Sequence, residues 1–279
     1  MPAVLLSLAS SLSFGVADFL GGVAARRLAV VTVLLISQAV GLAGIAVLVA
    51  ARGDGPPDAV FVPLAALSAA LGTAGVAALY RGLATGLMSV VAPIAAAAAV
   101  IPVVYGAVRG DTPTAWQNAG IALALGGVVL ASRTRGRAGV GARLAAGAGL
   151  GLVAAVFFGL FLVSFEAAAT DDPYWAVLAL RVSSVAMLLA AAALLRPSLR
   201  TDGRGLGVLA VIGILDLAGN AFFAVATTKG LIGVVSVLSS LYPIVTIGLA
   251  RLVLRERLHP VQAAGVAAAL AGVGLIAAG

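Results

Sequence analysis

The sequence predicts an all-α integral membrane protein in which ten transmembrane helices form two inverted five-helix repeats. Three observations predict it. Of 279 residues, 62% are hydrophobic and only 10% charged, with a mean hydropathy of +1.19; a soluble domain normally carries about a quarter charged residues. Ten segments have the roughly 20 mostly apolar residues a span requires: 3–24, 30–51, 61–81, 86–108, 114–132, 144–168, 174–195, 206–228, 232–254 and 260–278. The first half also reappears in the second. At a spacing of 144, Phe14-Gly15 falls on Phe158-Gly159, Gly75 on Gly219, Gly86-Leu87 on Gly230-Leu231 and Val90-Val91 on Val234-Val235. At 145, Gln117 falls on Gln262, Gly120 on Gly265 and Gly127 on Gly272. An odd number of spans per copy turns the second half upside down, the arrangement of secondary transporters that bind their solute where the halves meet.

The first span has no basic stretch ahead of it and reads as a retained helix rather than a cleaved signal. Thr112-Pro113, Asp172-Pro173 and His259-Pro260 each put proline at a helix start, where its missing N–H costs nothing. Asp171 and Asp172 read as a cap for the amides of the following helix rather than as a site. The repeats are 1–133 and 144–279, joined by a Gly/Arg-rich linker at 134–143, and the other loops are short. Gly82/Gly86 and Gly147/Gly151 let helix backbones approach closely in lipid. Pro93 and Pro102 interrupt the fourth span of the first half and Pro243 that of the second, either as hinges or as static kinks.

Other functions are excluded by what is missing. The net charge of +7 would suggest nucleic-acid binding in a soluble domain, but the basic residues are scattered through inter-helix loops and build no groove for a phosphate backbone. With no cysteine and one histidine, His259, neither a metal centre nor a cofactor is expected. No Walker motif suggests direct ATP coupling. Arginine outnumbers lysine sixteen to one beside abundant Ala and Gly, a composition suggesting a GC-rich bacterial genome.

Residues 84–132 and 227–278 resemble the last two helices of the repeat unit in EamA-type drug/metabolite transporters: a small-residue stretch, a proline-bearing helix, an acidic residue, a short turn and a Gly-rich helix. The second half keeps this pattern with Pro243 and Glu256; the first departs from it, with Asp111 at the acidic position and Pro102 four residues beyond the proline slot. The resemblance implies a ten-helix carrier that moves small organic molecules by alternating access, often as an exporter and without ATP.

Ionisable residues deep in a bilayer are costly, which makes each a functional candidate. Asp216 lies near the middle of span eight and Arg181 about seven residues into the antiparallel span seven, so they differ in depth by only ~8 Å. They form either a structural ion pair or one that a substrate or proton opens. Asn220 sits one turn beyond Asp216, and Gln38 lies one residue past Ser37, the repeat-mate of Arg181. With the amphipathic rings of Tyr80 and Tyr242, these residues form the expected substrate site. Asp18 is the expected proton carrier; its alternative is a pair with Arg26 or Arg27. Glu166 reads as interfacial, and Arg251, Arg255, Glu256, Arg257 and His259 as interfacial anchors.

The resulting expectation is a multi-pass carrier of the bacterial inner membrane, a monomer or homodimer, exporting a small metabolite or xenobiotic by proton coupling or exchange. The alternatives are an intramembrane enzyme on lipid-linked substrates, which lacks a catalytic constellation here, and a structural subunit of a membrane complex.

Overall fold

The structure is a computed structural model that describes residues 1–57, 61–86, 88–131, 141–254 and 260–278. Among them there is helix and no strand. Three long helices open the chain, α1 (Pro2–Ala24), α2 (Val30–Arg52) and α3 (Phe61–Thr85). Two short ones follow, α4 (Met88–Ala96) and α5 (Val100–Val108), joined by a 3₁₀ turn at Ala97–Ala99, and then α6 (Ala115–Ala131). The second half runs through α7 (Gly141–Ala168), α8 (Pro173–Leu195), α9 (Gly203–Thr227), the short α10 (Ile232–Ser239), α11 (Tyr242–Leu254) and α12 (Pro260–Ala278). Among the described residues seven segments are long and apolar enough to cross a bilayer, counting 232–253 through its break, and Ile94–Val108 is a shorter apolar one. The linker expected at 134–143 lies outside the described residues up to 140, as do Arg255, Glu256, Arg257 and His259.

Sequence punctuation explains the boundaries. Asp172 caps α8, its Oδ1 accepting from the amides of Tyr174 at 2.8 Å and Trp175 at 3.1 Å, as the sequence led us to expect. Burial pushes its carboxyl up, but hydrogen bonds from Arg52 and from the Trp175 and Tyr174 amides outweigh that and hold its pKa below the usual carboxylate value. Arg52 grips both Asp172 oxygens, at 3.2 and 3.0 Å, and lies 4.3 Å over the Tyr174 ring, tying the end of α2 to the start of α8. At Thr112-Pro113 the outcome differs, because α6 starts two residues beyond the proline. Its cap is a reciprocal box in which the Thr114 amide donates to Gln117 Oε1 at 3.0 Å and the Gln117 amide to Thr114 Oγ1 at 3.2 Å.

The fourth span of each half, expected as one kinked helix, is broken in two. Pro102 has no N–H to offer the Ala98 carbonyl, and Pro243 none for Ser239. The breaks fall at 97–99 and 240–241, which at the spacing of 144 is nearly the same place. The positions of the breaks therefore match better than the prolines that cause them.

Helix packing repeats in the same way. α1 lies along α9 and α3 along α7, pairings that exchange under the repeat spacing, while α6 lies along α12. Glycines set the approach. A Cβ at Gly219 would stand 2.6 Å from the Phe14 ring, and one at the repeat-mate Gly75 would stand 2.7 Å from Phe158. Likewise a Cβ at Gly15 would meet the Tyr242 carbonyl at 2.7 Å, and one at Gly159 the Ala98 carbonyl at 2.8 Å. Each half thus inserts a Phe-Gly pair against the third helix and broken helix of the other. We expect Gly219→Ala to destabilise the protein by about 1–3 kcal/mol, the usual cost of overpacking. Phe14→Val should recover most of that loss, read as the thermal unfolding midpoint in detergent; a Gly219→Ala protein as stable as the parent would refute this packing account.

Candidate functional site

Between the halves lies a cavity that residues of both halves line. Its polar side chains come from α1 (Asp18), α2 (Gln38), α8 (Arg181, Ser184), α9 (Asp216, Asn220) and the second helix break (Ser239, Ser240, Tyr242). α3 and α7 supply Gly72, Val76, Phe158, Phe161 and Leu162, with Thr73 the polar exception. Phe14, Ala98 and Leu180 complete the wall. Both breaks border the space, so each freed carbonyl lies where irregular backbone is tolerated at membrane depth, against protein or a polar cavity.

Arg181 and Asp216 pair as their depths predicted. Arg181 is 1% exposed, and its Nη1 donates to Asp216 Oδ2 at 2.5 Å and also to Gln38 Oε1. The Gln38 amide in turn donates to Asp216 Oδ2 at 3.3 Å. Asn220 Nδ2 donates to the Asp216 backbone carbonyl at 2.8 Å, locking its own side chain along α9. Three helices are thereby cross-linked through one guanidinium and one carboxylate, which neutralise each other. Arg181 Nε and Nη2 are buried without a hydrogen-bond partner among the described residues, as are Thr73 Oγ1, Ser239 Oγ and the Tyr242 hydroxyl. Such groups are expensive to leave unmade in a core.

Asp18 is 8% exposed and lines the same cavity. Neither Arg26 nor Arg27 pairs with it: the ion pairs among the described residues are Arg52–Asp54, Arg52–Asp172 and Arg181–Asp216. Tyr80 departs from expectation. It does not line the cavity but is buried beside it, its ring packed on Gly21 and its hydroxyl donating to the Ala17 carbonyl at 3.5 Å. With a full turn of α1 under its ring, it is held as a spacer between α1 and α3. Glu166 sits half-buried near the end of α7, with Oε2 unpartnered among the described residues, and Arg251 is exposed as an anchor would be.

Of the residues singled out from the sequence, Gln38, Arg181, Asp216, Asn220, Tyr242 and Asp18 line the cavity, and the apolar lining was missed. Phe14 and Phe158 were visible only as markers of the repeat. Gly72, the repeat-mate of Asp216, and Leu162, the repeat-mate of Asp18, also face the cavity. The same spacing takes Asn220 to Val76 and Tyr242 to Ala98, which line the cavity as well, whereas the mates of Gln38, Arg181 and Ser184 do not.

A helical bundle too apolar for water, closed around polar side chains, defines a multi-pass membrane protein with an internal polar cavity. Residues 145–278 match the EamA-like transporter family. The second half of the chain thus matches that family model, which supports a membrane transporter of the drug/metabolite transporter superfamily acting on a small molecule in a lipid bilayer. A solved protein with 17% sequence identity superposes over 96% of this chain and 95% of its own, with a TM-score of 0.71, so the fold is shared over essentially the whole length. No curated protein sequence matches it significantly.

Proposed function

We propose that the protein is a ten-helix carrier of two inverted five-helix repeats, 1–133 and 144–279, joined by the linker at 134–143. It moves a small metabolite or xenobiotic out across the bacterial inner membrane by alternating access. The observation that carries this reading is the cavity at the junction of the halves, bordered by both helix breaks and lined by repeat-mates from each side. Such breaks divide a span into two short rods that can tilt separately, which is what opening to one side and then the other requires. Gln38, Arg181, Asp216, Asn220 and Tyr242 bind the solute, Tyr80 supports α1 beside it, and Asp18 carries the coupling proton. Proteoliposomes containing only this protein should show counterflow of solutes from a metabolite library. A correctly folded protein that exchanges none of them across the bilayer would overturn the reading.

Orientation follows from the basic residues of the short loops. On the side of both termini these are Arg52, Arg109 and Lys229, whereas thirteen of the remaining arginines lie at the opposite end and Arg181 is in the cavity. The linker is therefore cytoplasmic and both termini face outward. Because the chain has no cysteine, Gly139→Cys should resist an impermeant maleimide in intact spheroplasts and react once they are lysed; labelling before lysis would reverse the topology.

A further inference from the structure

Granting that the cavity is the transport site, we propose that its solute is an organic cation, a protonated amine on an apolar ring-bearing body, whose ammonium replaces the proton on Asp18. The argument begins with charge. The cavity lining holds one basic and two acidic side chains, and two of these three, Arg181 and Asp216, are already paired at 2.5 Å. Asp18 has no cation opposite it. The elements packed on α1 are α3, α9, α10 and α11, and they present to the cavity region Tyr80 from α3, Asp216 from α9, Ser239 from α10 and Tyr242 from α11. Among the described residues of these elements none that lines the cavity is basic, and Arg181, the cation of its lining, is held by Asp216 and Gln38. A carboxylate without a counter-charge is too costly at this depth. It takes up a proton, or a cation arriving from outside the chain.

An anion has no equivalent seat. Arg181 Nη1 is occupied by Gln38 and Asp216. Its Nε and Nη2 are buried without a hydrogen-bond partner among the described residues, beside the backbone of α2, where a Cβ at Gly41 would stand 3.4 Å from Nε. With its charge already matched by Asp216, the guanidinium gives an incoming carboxylate no unpaired cation to bind. The remaining wall suits the rest of an organic cation. Phe14, Phe158 and Phe161 provide ring faces that attract an ammonium and apolar surface that accepts its body. On binding, the Asp18 carboxyl releases its proton to water and the carboxylate accepts an N–H hydrogen bond from the ammonium, so the charge of the site is unchanged. Proton and solute then occupy Asp18 alternately, which makes the protein an exchanger.

The test uses the purified full-length protein in nanodiscs with four aromatic probes, 2-phenylethylammonium, 2-naphthylethylammonium, 3-phenylpropionate and phenylalanine, and with sodium chloride. At least one ammonium should bind saturably and release protons into weak buffer, up to one per ligand. The anion, the zwitterion and sodium should not compete. Asp18→Asn should weaken ammonium binding by about thirtyfold or more, as loss of a buried charge partner does, and abolish proton release, while Asp18→Glu retains both. Preference for 3-phenylpropionate or phenylalanine, competition by sodium, binding without proton release, or failure of both ammonium probes each overturns the assignment. Counterflow of some other solute alongside such a failure would leave the transport reading standing; absence of all counterflow removes both.

Discussion

Replacing Arg181 with alanine should destabilise the protein by about 3–5 kcal/mol, the cost of stranding one member of a buried ion pair, and abolish transport. The expectation rests on what Arg181 touches. It is 1% exposed and provides the positive charge in a cavity that also holds Asp216 and Asp18. Its removal leaves two carboxylates facing one space and deprives Gln38 of the donor to its Oε1. Asp216→Ala should be milder, because Arg181 keeps Gln38 and gains access to Asp18. Arg181→Met with Asp216→Leu should recover most of the stability without recovering transport, since a buried pair is replaceable by apolar side chains at little net cost. Thermal unfolding of the two single alanine variants and the double alanine variant forms the decisive cycle: additive losses would mean that the 2.5 Å contact contributes nothing to stability. Adding Asp18→Asn to Arg181→Ala should restore part of the loss, because it removes one of the two confronted charges.

The membrane class, the helix positions and the central ion pair were legible because each depends on a one-dimensional property. Length and hydropathy mark a span, and equal depth on antiparallel neighbours brings Arg181 to Asp216. The cap at Asp172 is as local as the amides it satisfies. What the sequence concealed depends on helices distant in the chain. Tyr80 looked like a site residue because an aromatic hydroxyl in an apolar run usually finds polar company. Which face of α3 meets α1 is decided by Gly21, which leaves room for the ring, and that choice turns Tyr80 away from the cavity. The apolar wall was hidden for the opposite reason, since a phenylalanine facing a cavity and one facing lipid have the same hydropathy. Pro102 and Pro243 signalled irregular backbone but not its extent. A freed carbonyl becomes a full break only where packing repairs it, and here the glycines Gly15 and Gly159 bring a helix backbone close to each break.

Asp18→Asn should abolish transport driven by a pH gradient while leaving the fold as stable as the parent or more so. The two halves of that outcome have one cause. Asp18 is 8% exposed and makes no ion pair, so its loss strands no partner, in contrast to the loss of Arg181. An amide in its place also removes the cost of any charge at that depth. Coupling requires a group that alternates between charged and neutral forms, and an amide cannot alternate. Asp216 is a poor substitute, because its Oδ2 is already engaged by Arg181 Nη1 at 2.5 Å and by the Gln38 amide at 3.3 Å. Uptake into proteoliposomes with and without an imposed pH gradient, beside thermal unfolding of the same preparations, separates the possible roles. Driven transport surviving in Asp18→Asn would remove Asp18 from the mechanism. A loss of stability comparable to that of Arg181→Ala would make it a structural residue whose partner lies outside the cavity. Asp18→Glu supplies the positive control: it keeps a titratable carboxyl on the same face of α1, so it should retain gradient-driven transport at a reduced rate, the longer side chain shifting the charge by about one methylene into a space already bounded by Tyr242 and Phe14.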